Sequence, residues 1–134
     1  VDPPVILVDS SAWIEYLRDS EDPVVERLQA LIEADAELVI TEPIVMELLA
    51  GATTPPRADS IGALVNGLPL VPVDARLDYR AAAQLFVVSR RNGHPIRSLV
   101  DCLIAALAIR RDAVLLHRDR DFEFLAEISP LRLV

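Results

Sequence analysis

The sequence predicts an α/β fold in three layers: a central parallel sheet of four or five strands with helices on both faces. Three observations carry this. Short apolar runs recur along the chain, and segments with helical spacing separate them. The runs are continuously apolar rather than alternating, as in strands buried on both faces. With 134 residues, 52% of them hydrophobic, the chain has enough apolar surface for a real core, and one domain spanning 1–134 is expected.

The elements follow in order. Val5–Asp9 reads as a buried strand and Ala12–Leu17 as a helix. Val24–Ala34 is a second helix, because Val24, Val25, Leu28, Leu31 and Ile32 form a stripe at helical spacing. "ELVIT", Glu37–Thr41, is the second strand. Pro43 suits the first turn of a helix running to Leu49, and Gly51 marks its end. "TTPPR" reads as a loop, Ala58–Asn66 as a short helix stopped by Gly67, and Leu70–Val73 as a third strand. Leu77–Asn92 is a long helix closed by Gly93, and Ser98 opens another that reaches Arg111. "AVLLH" is the fourth strand, Phe122–Ile128 a helix and Leu131–Val134 a final strand.

Composition narrows the classes. The longest apolar run, Cys102–Ile109, is far short of the roughly 20 residues of a membrane span. No basic segment followed by an apolar one opens the sequence, so no signal peptide is expected. Cys102 is the single cysteine, which excludes an internal disulfide and fits a reducing, cytoplasmic setting. All 13 basic residues are arginine. Residues 1–74 hold 3 of them against 14 acids, a net of −11, and residues 75–134 hold 10 against 7, a net of +3. The total of −8 therefore hides a basic half that keeps a nucleic-acid partner open, although arginines on solvated helix faces give the same totals.

Four carboxylates occupy similar places on this path. Asp9 ends the first strand, Glu47 lies in the helix after the second, Asp101 sits in the first turn of the helix after Ser98, and Asp119 follows the fourth strand with Asp121 two residues on. In a parallel sheet, strand C-termini and the following helix N-termini share one edge. Each acid has a plainer reading: Asp9 and Asp119 as helix caps, Asp101 as half of a capping box with Ser98, Glu47 as a solvated helix residue. The surroundings weigh against it. Glu47 lies in "IVMELLA" and Asp101 in "LVDCLIAALAI", where a lone buried carboxylate is costly. There is no lysine to pair with them, and no arginine between residues 28 and 56. A divalent cation resolves such crowding, and hard oxygen ligands without His or Cys suit Mg2+ or Mn2+. Such an ion activates water and neutralises a phosphate, which is phosphodiester hydrolysis.

With "VDSSAW", "EPIVMELLAG", "RSLVDCLIAALAI" and "LLHRDRDF" in this order over nearly the whole chain, the sequence resembles PIN-domain ribonucleases, specifically VapC-type toxins of bacterial toxin–antitoxin pairs. The resemblance implies a divalent-metal-dependent endoribonuclease that leaves 5′-phosphate and 3′-hydroxyl ends. It places catalytic and metal-binding roles on Asp9, Glu47, Asp101 and Asp119. Asp121 is a further ligand or holds water, and Ser11 orients Asp9 or a metal water. It also implies a cognate antitoxin and a homodimer within the complex. Part of the Val24–Ile32 stripe must face the core; if a remainder is exposed, it would offer a groove for an amphipathic antitoxin helix with basic flanks. Trp13 is expected in the core. Arg90, Arg91, Arg97, Arg118 and Arg120 flank the acids and are candidates for RNA phosphate contacts.

The rivals fit less well. A haloacid-dehalogenase-type phosphatase expects D-x-D and a lysine, and a receiver domain expects the lysine too. An adhesion-type D-x-S-x-S site needs serine where Trp13 stands, and Gly51, Gly62, Gly67 and Gly93 build no phosphate loop. A metal-free ribonuclease would use His94 and His117, which read as structural or solvent-facing residues. The alternatives within the fold are a catalytically weak binding module and a non-toxin RNA-processing nuclease.

Overall fold

The computed structural model describes residues 3–134; residues 1 and 2, which the expectation of one domain over 1–134 includes, lie outside the described residues. Four strands form an all-parallel sheet: β1 (Ile6–Val8), β2 (Leu38–Val39), β3 (Val114–Leu116) and β4 (Arg132–Leu133). Their spatial order is β2-β1-β3-β4. Register is set by Leu7, which lies opposite Val39 on one side and Leu115 on the other. The chain leaves β1 toward β2 and leaves β3 toward β4. The connections from these adjacent central strands therefore diverge, and a crevice opens at their C-terminal ends, where open α/β sheets hold their ligands.

Among the described residues seven helices surround the sheet: α1 (Ser10–Leu17), α2 (Pro23–Glu33), α3 (Glu42–Ala50), α4 (Pro55–Asn66), α5 (Asp78–Arg91), α6 (Leu99–Arg110) and α7 (Arg120–Glu127). Helix α6 is apolar almost all round, and every residue from Asp101 to Ala108 is buried, as its composition predicts. It packs against α3, α5 and α7. The largest fully buried side chains, among them Trp13, Ile40, Ile44, Ile104, Leu115 and Phe122, form one core between sheet and helices.

Two expectations change. "TTPPR" is not all loop: α4 starts at Pro55, and Thr54 Oγ1 caps it by accepting from Arg57 N at 3.4 Å. Two prolines in a first turn sacrifice no hydrogen bond, because those N–H groups have no partner within the helix. The third predicted strand, Leu70–Val73, shrinks to one parallel bridge between Ile40 and Leu70. Pro69 and Pro72 cannot donate to a ladder, Leu70 is half exposed, and Val73 N donates instead to Glu42 Oε1 at 2.9 Å. The predicted stripe on α2 splits, with Val24, Val25 and Leu28 buried, Leu31 half-buried and Ile32 exposed.

Candidate active site

Asp9 is placed by the last ladder bond of β1, in which its N–H donates to Leu116 O at 2.9 Å. It is also the N-cap of α1, as the plainer reading of this residue expects, and capping leaves its second carboxylate oxygen unused. Oδ2 accepts from Ser11 N at 3.0 Å and from Ser11 Oγ at 2.6 Å. Oδ1 is buried without a partner. Burial raises the Asp9 pKa against the lowering effect of the Ser11 bonds, and the charge of Asp119 adds to the rise. Ser11 does a second thing: its Oγ accepts from Arg118 N at 3.0 Å, which ties the loop after β3 to the start of α1.

Glu47 projects from the middle of α3 and is half-buried. Ser10 Oγ donates to its Oε1 at 3.0 Å. Burial raises its pKa, and the charge of Asp9 is the next contribution. Asp101 sits in the first turn of α6, where Ser98 Oγ accepts from its N–H at 3.1 Å. Its carboxylate lies with those of Asp119 and Asp121, each offering an oxygen within 4.8 Å of the others. Burial, then the charges of Asp9, Asp119, Glu47 and Asp121, push the Asp101 pKa up to about 8. Asp119 caps α7, its Oδ1 accepting from Asp121 N at 3.0 Å.

The sheet edge thus gathers all five predicted acids from four separate segments. Among the described residues no arginine forms an ion pair with any of them. Arg118 Nε donates to Asp22 Oδ2 at the start of α2, and Arg110 holds Asp78. The group left unsatisfied is an all-oxygen donor set with an orphaned buried carboxylate oxygen, and a divalent cation fits that set. Asp9, Glu47, Asp101, Asp119 and Asp121 are the residues that would hold it.

The arginines separate into two groups. Arg97, Arg118 and Arg120 line a cavity of about 1190 Å3 together with Asp119 and Asp121. Arg90 and Arg91 end α5 outside that lining, and the Arg90 guanidinium lies over the Phe86 ring, 4.4 Å from its centroid. The histidines are closer to the acids than sequence reasoning placed them. His117 Nδ1 accepts from Asp119 N at 3.0 Å, and burial lowers its pKa. His94 lines the cavity with Nε2 3.5 Å from Asp121 Oδ1. Sequence reasoning also missed Ser10, Asp22 and Arg27, the last another cavity residue. Two adjacent serines after Asp9 were visible, but no local signal said which would reach Glu47.

The crevice at a diverging strand pair, walled by carboxylates, defines the class: the PIN-domain family model matches residues 6–128. The chain is 46% identical over 129 residues to Ribonuclease VapC11 of Mycobacterium tuberculosis strain H37Rv, covering 96% of each. It belongs to the PIN-domain family and, within it, to the VapC ribonucleases. Solved structures share the fold. VapBC-1 from nontypeable Haemophilus influenzae superposes with a TM-score of 0.74 at 19% identity, over 97% of this chain and 96% of that one. VapBC-5 from Mycobacterium tuberculosis, described as a member of the VapBC family of toxin–antitoxin systems, superposes at 0.68 with 21% identity over 98% of both chains.

Proposed function

We propose that this chain is a toxin endoribonuclease that hydrolyses RNA phosphodiester bonds with Mg2+ or Mn2+, and that a cognate antitoxin inhibits it. The observation that carries the reading is the convergence of five carboxylates, none paired with an arginine among the described residues, in a chain 46% identical to a named VapC ribonuclease. Asp9, Glu47, Asp101, Asp119 and Asp121 hold the ion. When bound there, it supplies Lewis acidity, which lowers the pKa of water and neutralises charge on a phosphate. Ser11 fixes the Asp9 carboxylate and the Arg118 backbone in one arrangement, so two parts of the site are positioned before substrate arrives. Arg97 and Arg120 supply phosphate contacts that bring an anionic strand to an otherwise repellent acidic centre.

The antitoxin reading draws on the family and on an open apolar groove of about 320 Å3 between α1, α3 and α4, lined by Ile14, Leu17, Leu48 and Ile61. This replaces the α2 stripe as the better docking surface, because most of that stripe is in the core. A single domain, cytoplasmic location and self-pairing within the toxin–antitoxin complex complete the proposal. Among the described residues no helix is long and apolar enough to cross a membrane.

The test is purified protein incubated with single-stranded RNA, with EDTA or with added Mn2+ or Mg2+. Cleavage by the wild type with metal, and its loss by about 100-fold in a folded Asp101→Asn variant, is the expected result. Binding without cleavage at any metal concentration overturns the enzyme reading in favour of a binding module. Co-expression with the adjacent small open reading frame should yield a complex with suppressed cleavage.

A further inference from the structure

We propose that His94, backed by Phe124, is a stacking platform for an unpaired base of the RNA substrate. The inference rests on the ribonuclease reading above and names how the substrate is held. The imidazole lies on the Phe124 ring with centroids 4.1 Å apart and planes 16° from parallel. Phe124 covers one face of the imidazole. The side chain is nonetheless 49% exposed and lines the large cavity, and the proposal seats the base on the face opposite Phe124.

The platform is rigid for reasons legible in "NGHPI". Gly93 takes φ +77°, a conformation strained for other residues, and this closes α5. His94 N then donates to Ser89 O at 3.1 Å. Ser89 is buried, and its Oγ accepts from Ile96 N at 3.2 Å while donating to Phe86 O at 2.7 Å. Ile96 is fully buried. His94 therefore stands on a turn anchored on both sides, with Pro95 restricting it further.

The surroundings match a nucleotide. Nε2 is 3.5 Å from Asp121 Oδ1, so the ring abuts the acid cluster. Arg97 and Arg120 line the same cavity and provide cationic partners for phosphates. Single-stranded RNA is commonly held by bases stacked on aromatic rings, His included, beside cationic groups that track the backbone. A base on His94 would sit beside the carboxylates and hold its own phosphate within their reach.

The experiment uses the full chain and a short single-stranded RNA carrying 2-aminopurine, in EDTA so that no cleavage occurs. Fluorescence quenching reports stacking, and a titration gives affinity. His94→Phe keeps an aromatic face; His94→Gln keeps a hydrogen-bonding group near Asp121 without one. The expected result is that His94→Gln loses quenching and about tenfold in affinity, while His94→Phe retains both. A Gln variant that quenches and binds like wild type, or a Phe variant as impaired as Gln, overturns the proposal. Metal-dependent cleavage by the wild type, together with RNA binding and quenching unchanged in both His94 variants, overturns this inference alone. Wild-type protein that neither binds nor cleaves overturns the ribonuclease reading and this inference with it.

Discussion

Ser10 Oγ donates a 3.0 Å hydrogen bond to Glu47 Oε1, joining the first turn of α1 to the middle of α3. The adjacent serine, Ser11, does the same for Asp9. Consecutive hydroxyls therefore each orient one acid, and two elements distant in sequence are locked to one geometry.

Ser10 is accordingly a positioning residue for Glu47. Ser10→Ala removes the donor and leaves Glu47 free to rotate away from its neighbours. Mn2+ affinity measured by calorimetry should fall about tenfold, while the melting temperature without metal should change little, since one partly exposed hydrogen bond contributes about 1 kcal/mol. Ser10→Thr, which keeps the hydroxyl, should restore the affinity. Equal affinities in all three proteins would mean that Glu47 is positioned by its helix alone.

The acid cluster makes stability depend on pH in a defined sense. Asp101 is pushed up to about 8 in the folded protein from an unfolded value near 3.8, so the folded state holds its proton more tightly. Its contribution is fully present below the unfolded pKa and is lost as pH rises through the folded one. The raised pKa values of Asp9 and Glu47 act in the same direction. His117, lowered by burial from 6.5, acts oppositely, but only below that value. Between pH 6.5 and 8, metal-free protein should therefore lose melting temperature as pH rises. Added Mn2+ should raise it, and by more at pH 8 than at pH 6.5, because fewer protons compete for the carboxylates. A flat metal-free profile over this window, unchanged by saturating metal, would show that the carboxylates are not coupled as the geometry requires.

Much of this was legible in the sequence, because strand and helix ends in a parallel sheet fall on one edge. The position of Asp101 in a helix apolar almost all round foretold its burial, and the absence of lysine foretold its lack of a counter-charge; Glu47, expected among apolar neighbours, is half-buried. What was not legible depends on partners distant in the chain. Whether Arg118 faced solvent or Asp22 depended on how α2 packs, which no local pattern encodes. His94 looked like a generic loop residue, because its ring environment comes from Phe124, thirty positions away on α7. The third strand failed because two prolines outweighed an apolar run that was too short to compete with them.

A separate prediction concerns the far side of α6. Arg110 clamps Asp78 through two bonds, Nε to Oδ1 at 2.7 Å and a terminal nitrogen to Oδ2 at 3.0 Å. That nitrogen also reaches Pro72 O at 3.3 Å, and Asp78 Oδ2 accepts from Asp74 N at 2.8 Å. The carboxylate is 1% exposed, so Arg110→Ala leaves a buried, uncompensated charge. The expected loss is about 3 kcal/mol of unfolding free energy in urea titration. Cleavage per folded molecule should be unaffected, because the pair lies outside the acid cluster. Asp78→Asn should cost less, since it removes the charge but keeps the acceptor. A loss below about 1 kcal/mol for Arg110→Ala would place this pair with ordinary surface ion pairs.

The two arginine groups give a contrast that salt dependence can read. Arg97 and Arg120 line the cavity beside Asp119 and Asp121, whereas Arg90 packs on Phe86 and Arg91 ends the same helix outside the lining. Each phosphate contact on a single strand contributes about 0.7 to the slope of log affinity against log salt. Replacing Arg97 and Arg120 together by Gln should therefore lower the magnitude of that slope by about 1.4, measured in EDTA with a short RNA. Replacing Arg90 and Arg91 should lower it by a smaller amount, because an exposed arginine away from the bound strand acts only through its general field. Arg118 is a poorer candidate than its neighbours, since its guanidinium is already committed to Asp22. Releasing it with Asp22→Asn should make the slope steeper if the freed side chain turns toward phosphate. Equal reductions from both double variants would mean that RNA runs along the end of α5 as well as through the cavity, and would give Arg90 and Arg91 a role that their placement alone does not supply.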